Sequence, residues 1–118
     1  MRYTFINTNQ KAVNDKLIEQ GIYKNHHYYI KQVNLGEFHW YCCYIEVLST
    51  DKNFKYIIDN RSESRLSNIT ITFNGHVMIG NTELESYYIG FDTQDTFLKY
   101  LNIDKCVEMI KDTIDQDL

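Results

Sequence analysis

Proline is absent from the 118 residues, alanine occurs once (Ala12), arginine three times and glycine five times. Proline alone is usually about 5% of a chain. These are residues of GC-rich codons. Ile (14), Asn (11), Tyr (10) and Lys (9), with AT-rich codons, make up 44 residues. The shortage therefore informs on source more than on fold, and fits a low-GC bacterium or its phage. Basic charge is also short: 12 Lys+Arg against 16 Asp+Glu give −4. That excludes a general nucleic-acid binder, which needs a basic face against the phosphates, and no direct sequence-specific contact with nucleic acid is expected. Three cysteines, an odd number, exclude a complete disulfide framework. Cys42 and Cys43 are neighbours on an expected strand and point to opposite faces, so they read as small buried hydrophobes of a reducing compartment. No apolar run reaches the length of a membrane span and no signal peptide is evident. The expected location is the cytoplasm of a bacterial host cell, with no membrane partner.

Catalytic signatures are missing as well. There is no Gly-rich phosphate loop, no Cys-x-x-Cys, no His-Glu-x-x-His and no Gly-x-Ser-x-Gly. The histidines, His26, His27, His39 and His76, fit no zinc spacing. No cofactor or metal is expected, and the chain reads as a non-enzyme.

What is present is one domain's worth of core. Ten Tyr, six Phe and one Trp in a 43% hydrophobic chain exclude wholesale disorder, and the length excludes two independent cores. Residues 1–118 are read as a single α+β domain. Residues 2–7 read as a strand. Lys11–Gln20, with Ala12 or Val13, Leu17 and Ile18 in one stripe and Gly21 as a stop, reads as an amphipathic helix. Strands are expected at 27–34, at 38–48 (the centre of the sheet), at 54–58, at 69–73 and at 86–91. Asn74-Gly75 signals a type I′ hairpin returning at 76–80. Phe97–Leu101 suggests a helical turn. Ile103, Cys106, Val107, Ile110 and Ile114 form a stripe of helical period, so a last helix opens near Asp104. The sum is one antiparallel sheet of about 5–7 strands against an N-terminal and a C-terminal helix.

The charge is uneven. Residues 1–91 hold nine acidic and nine basic side chains; 92–118 hold seven acidic and three basic, the whole of the −4. An acidic surface of this kind suits a basic partner. The aromatic surplus exceeds what one face of a small sheet buries, so some tyrosines are expected outside the core, as anchors for a partner.

Three segments resemble a family of small phage and prophage proteins of obscure function, whose strands run His-x-Cys-Gly-Tyr-Val, His-Gly-Gly-Leu-Thr and Trp-x-Gly-Phe-Asp-Cys-x-His before a C-terminal helix. The matching segments here are Trp40-Tyr-Cys-Cys-Tyr-Ile45, Asn74-Gly-His-Val-Met78 and Tyr88-Ile-Gly-Phe-Asp-Thr-Gln-Asp95, and the likeness covers roughly 27–118. Cys42, Tyr44, Gly75, Gly90, Phe91 and Asp92 fit. Trp40 and Asn74 stand for His, Thr93 for Cys and Asp95 for His. The resemblance implies a phage-type source and a scaffold whose polar cluster has been replaced; it implies no reaction.

Three functional readings follow. The first is a phage or mobile-element protein that binds and inhibits a host protein, such as a nucleic-acid-binding defence component, in the manner of an anti-CRISPR. Its contact face would hold Tyr87, Tyr88, Asp92, Asp95, Glu108, Asp112 and Asp115. The second is a homodimeric assembly module built on the aromatic sheet face. The third is a small enzyme or ligand binder using Asp92, His76, His39 and Cys42, which must then share one cleft.

Overall fold

The computed structural model describes residues 14–59, 65–66, 69–93 and 102–118. The expected strand at 2–7, the first residues of the expected helix (11–13), the helical turn at 97–101, and Asp95 lie outside them. Among the described residues the order is β1 (Asn14–Tyr23), β2 (His26–Leu35), β3 (Phe38–Val47), α1 (Phe54–Asp59), β4 (Phe73–Gly75), β5 (Met78–Ile79), β6 (Thr82–Glu83), β7 (Tyr87–Asp92) and α2 (Ile103–Asp117). Five strands form one sheet in the order β1-β2-β3-β7-β4, with every pairing antiparallel, and β5 and β6 form a separate two-stranded ribbon. The class is α+β, with β3 at the centre.

The described part of the expected N-terminal helix is strand β1. The register of β1 on β2 shifts between Leu17 and Glu19, so Ile18 is an extra residue in a β-bulge. The bulge breaks the two-residue alternation. Leu17 lies on the face of Lys31 and Ile18 packs on the face of Ile30, and side by side in sequence the two imitate a helical stripe. Helix-forming Lys, Leu, Glu and Gln are overridden by a ladder ten residues long. Gly21 is no helix stop. It lies opposite Tyr28, whose ring occupies the space a Cβ would need, with the phenol oxygen 2.5 Å from that point. The β1–β2 turn is Lys24-Asn25, with φ of 48° and 69°, the two left-handed residues of a type I′ turn.

Residues 54–58 are not a strand either. Phe-Lys-Tyr-Ile-Ile has strand propensity, but Asp51 and Asn53 start a helix instead. Phe54 N–H donates to Asp51 O at 3.1 Å and Ile57 N–H to Asn53 O at 2.9 Å. Ile57 is the buried residue of α1. Asn74-Gly75 is likewise no hairpin turn: both belong to β4, which pairs with β7. The nearby hairpin turns at Gly80-Asn81, with Gly80 at φ 63°.

The sheet is covered on both faces, which accounts for the aromatic surplus. On one face Tyr28, Ile30, Cys43, Ile45, Val47, Ile89 and Phe91 meet Ile57, Leu66, Ile69, Ile71 and the α2 stripe of Cys106, Ile110 and Ile114. On the other, Val33, Trp40, Cys42, Tyr44, Phe73 and Tyr88 pack with Val77, Ile79 and Leu84 from the β5–β6 segment. Cys42 and Cys43 thus sit in opposite layers. The Tyr44 and Phe73 rings meet edge to face, 5.1 Å between centroids. Each fully buried Ile on this list contributes roughly 2–3 kcal/mol relative to exposure.

Gly90, in the Gly-Phe-Asp element, sits where its neighbours leave no room for a side chain. A Cβ there would lie 2.8 Å from the Cys43 carbonyl oxygen, 3.0 Å from the Tyr44 ring and 3.2 Å from Phe73 Cβ. The nearest atom is backbone of the central strand and cannot rotate away. Gly90→Ala is therefore expected to destabilise the fold by about 2 kcal/mol, measured as a lowered urea midpoint with unchanged slope. Stability equal to wild type would show that β3 and β7 can separate at no cost.

Candidate protein-binding face

Helix α2 is built from its cap upward. Asn102 is extended (φ −97°, ψ 178°), and its side-chain oxygen accepts from Lys105 N–H at 2.8 Å. Cys106, Ile110 and Ile114 then face the sheet. Asp104, Glu108, Asp112 and Asp115 follow at spacings of four, four and three, so they share one flank, and all four are exposed. The helix carries five acidic and two basic side chains, a net of −3. Two like-charged pairs at i,i+4 cost a few tenths of a kcal/mol each, so this flank weakens the helix it decorates. Lys105 offsets part of that through a 3.2 Å contact with Glu108.

Beside this flank lies Tyr23, the last residue of β1. Tyr23 and Val107 form the floor of a groove of about 460 Å³, with Asp104, Glu108, Asp112, Asp115, Lys105 and Lys111 around it. The Tyr23 hydroxyl donates to Asp115 at 3.1 Å, and the Lys24 ammonium makes an ion pair with the same carboxylate. Lys24 and Lys111 hold their ammonium groups 5.4 Å and 5.2 Å from the Tyr23 ring centre. The Lys24 hydrogen bond holds the Asp115 carboxyl below its ordinary range, and Asp115 in turn raises the Lys24 amine. The dipole at a helix C-terminus disfavours an anion; Lys24 supplies the counter-charge. The outward-facing acidity is therefore centred on Asp104, Glu108 and Asp112. Asp104 belongs with the face although sequence reasoning treated it only as a helix start. Tyr23 and Lys24 were hidden because they lie in the β1–β2 turn region, just past the expected helix Lys11–Gln20, and reach α2 only through strand pairing.

The other expected contact residues are placed elsewhere. Tyr88 is 3% exposed within the second core layer, so it cannot serve as a surface anchor. Burial and the neighbouring Tyr29 and Glu46 push its phenol well above the ordinary range. Tyr87 is half-buried, and its hydroxyl donates to Asn74 at 2.9 Å. Asp92 is half-buried at the end of β7 and accepts from the Thr72 hydroxyl at 3.2 Å. Asp95 lies outside the described residues. Of the seven, Glu108, Asp112 and Asp115 come together.

Nor do Asp92, His76, His39 and Cys42 share a cleft. Cys42 and Asp92 are cross-strand partners, but Cys42 is fully buried. His39 lies opposite Asn34, whereas His76 follows Gly75 at the Tyr88–Glu46 end of the sheet. Strand residues 39 to 46 separate the two ends by roughly 20 Å. His76 Nδ1 lies 3.0 Å from the Ser86 carbonyl oxygen, a structural bond. Among the described residues no group of three or more His, Cys, Asp or Glu is placed to hold a metal ion.

Two polar clusters were not anticipated. His26 Nδ1 donates to the Lys24 carbonyl at 2.7 Å, and its Nε2 lies 2.9 Å from Asp51, both side chains being almost fully buried. Asp51 also accepts from Leu48 N–H at 2.7 Å. This cluster ties the β1–β2 turn to the turn before α1. Glu46 accepts from the His27 backbone at 2.9 Å, the His27 ring at 2.8 Å and the Ser86 hydroxyl at 2.7 Å. Burial pushes the Glu46 carboxyl up, but those hydrogen bonds outweigh it and the net direction is down. A carboxyl lowered by folding stabilises the fold above its ordinary value, about 4.3, and that stability fades as pH falls through the lower folded value. Denaturant titrations of wild type and Glu46→Gln should differ more at pH 6 than at pH 3. A gap that is constant with pH would contradict this.

Burial raises the Cys43 thiol, which hydrogen-bonds the Cys106 thiol across the sheet–helix interface. Both are packing residues of one layer. Among the described residues no helix is long and apolar enough to cross a membrane. Compared with family models, curated proteins and solved structures, the chain finds no match.

Proposed function

We propose that this chain is a small non-enzymatic protein of phage or mobile-element type that binds a host protein through the acidic flank of α2 and inhibits it. The partner would be a basic nucleic-acid-binding protein of the bacterial cytoplasm, such as a component of a defence complex, and inhibition would be by occlusion, as an anti-CRISPR acts. One observation carries the reading: Asp104, Glu108 and Asp112 are aligned and exposed beside a groove floored by Tyr23. Aligned carboxylates imitate the spaced negative charge of a nucleic-acid backbone, and complementary charge speeds encounter and fixes register. A half-buried tyrosine adds contact area at low entropic cost. The same charge disfavours direct contact with nucleic acid.

The β5–β6 segment packs on the aromatic sheet face, which favours a partner on the α2 flank over a dimer built on that face. The test is capture on the tagged chain from a low-GC bacterial lysate, followed by competition. The expected partner binds nucleic acid, and added nucleic acid releases it from the chain. A partner that stays bound in excess nucleic acid would count against occlusion.

A further inference from the structure

On the sheet face away from α2, Lys31 of β2 is out of keeping with its surroundings. Its side chain is 7% exposed, in the row that holds Tyr29 and Val33, and its cross-strand partners are Leu17 and Cys42. An ammonium group has three protons to donate, and removing it from water is costly unless it is well paired. Here the pairing is poor. The Asp15 carboxylate is 3.5 Å away, well beyond the roughly 2.7–2.9 Å of a good charged hydrogen bond. The Tyr44 ring centre is 5.9 Å away, at the limit of a useful cation–π contact.

Lys31 borders a cavity of about 240 Å³ between β1, β2 and the β5–β6 turn, with Leu17, Met78 and Ile79 on its apolar side and Asp15 on its polar side. We propose that this cavity binds a small organic monoanion, with its carboxylate on Lys31 and a short aliphatic body against Leu17, Met78 and Ile79. The charge of the lining selects this class: Lys31, with Asp15 turned outward, leaves a single positive charge, too little for a phosphate dianion. The volume lies below the usual range for drug-sized ligands, about 300–1,000 Å³, and restricts the body to a few carbons. The carboxylate replaces Asp15, which is 31% exposed and free to turn outward. This site lies on the opposite face from α2 and stands or falls independently of the protein-binding reading.

The test is a titration of the full chain with hexanoate, followed by amide NMR, beside hexanol and inorganic phosphate. Hexanoate is expected to shift the amides of Leu17, Lys31 and Ile79, with hexanol and phosphate at least about tenfold weaker. Lys31→Met keeps the volume and removes the charge. It is expected to leave the fold intact or more stable and to weaken hexanoate by about tenfold or more. Asp15→Asn, a change at a partly exposed site, is expected to tighten hexanoate by roughly threefold, because it removes the internal competitor. No shift at these amides with hexanoate overturns the proposal. So does equal binding of hexanol, tighter binding of phosphate, or undiminished binding to the Lys31→Met chain.

Discussion

His26→Ala should lower the stability of the fold by about 3 kcal/mol, the largest loss expected from a single polar side chain. The ring joins two turns, with Nδ1 on the Lys24 carbonyl at 2.7 Å and Nε2 on Asp51 at 2.9 Å. Removing it leaves a carboxylate that is 5% exposed holding only the Leu48 N–H. A buried charge stripped of its partner costs more than the partner contributed, because water cannot return to it. The double variant His26→Ala with Asp51→Ala should therefore be less damaging than the sum of the two single changes. Chemical denaturation of the four chains measures this as a coupling energy. Additive losses would show that His26 acts only by filling space.

The second large effect concerns binding. Reversing Glu108 and Asp112 to lysine changes the charge of one flank by four. It places like charges against a basic partner, which costs several kcal/mol across an interface. The captured partner should lose affinity by about a hundredfold. The fold should be little changed: the reversal makes the 104–108 pair attractive, but it leaves the 108–112 pair like-charged and breaks the Lys105–Glu108 contact. Reversing two exposed charges elsewhere, at Glu83 and Glu85, is the control and should have little effect; both lie away from α2, and both are exposed. Loss of affinity with every pair alike would reduce the account to net charge.

How far these features could be read from the sequence depends on which force set each one. Helix α2 was legible because a stripe of five apolar residues and the charges opposite it obey one period. Strands β2, β3 and β7 were legible from aromatic and β-branched runs. β1 was not, because one bulged residue, Ile18, destroyed its alternation and long-range pairing overrode helix propensity. α1 was misread because helical backbone bonds to the Asp51 and Asn53 carbonyls, with Ile57 buried, outweighed the propensities of Phe54–Ile58. The acidic flank survived as a site because it is written within one helix. Tyr23, Lys24 and Lys31 reach their places through strand pairing, and no local pattern announces that. Tyr88 was wrongly given a surface role because the second cover of the sheet, the β5–β6 ribbon, is made of two-residue strands too short to read.

The most direct measurement is nucleic-acid binding by the captured partner, followed by fluorescence anisotropy while the chain is added. The wild-type chain should displace the nucleic acid in proportion to the complex formed, and the chain with Glu108→Lys and Asp112→Lys should not displace it at the same concentration. Equal displacement by both chains, or a partner that holds its nucleic acid while bound to the wild-type chain, would contradict the account.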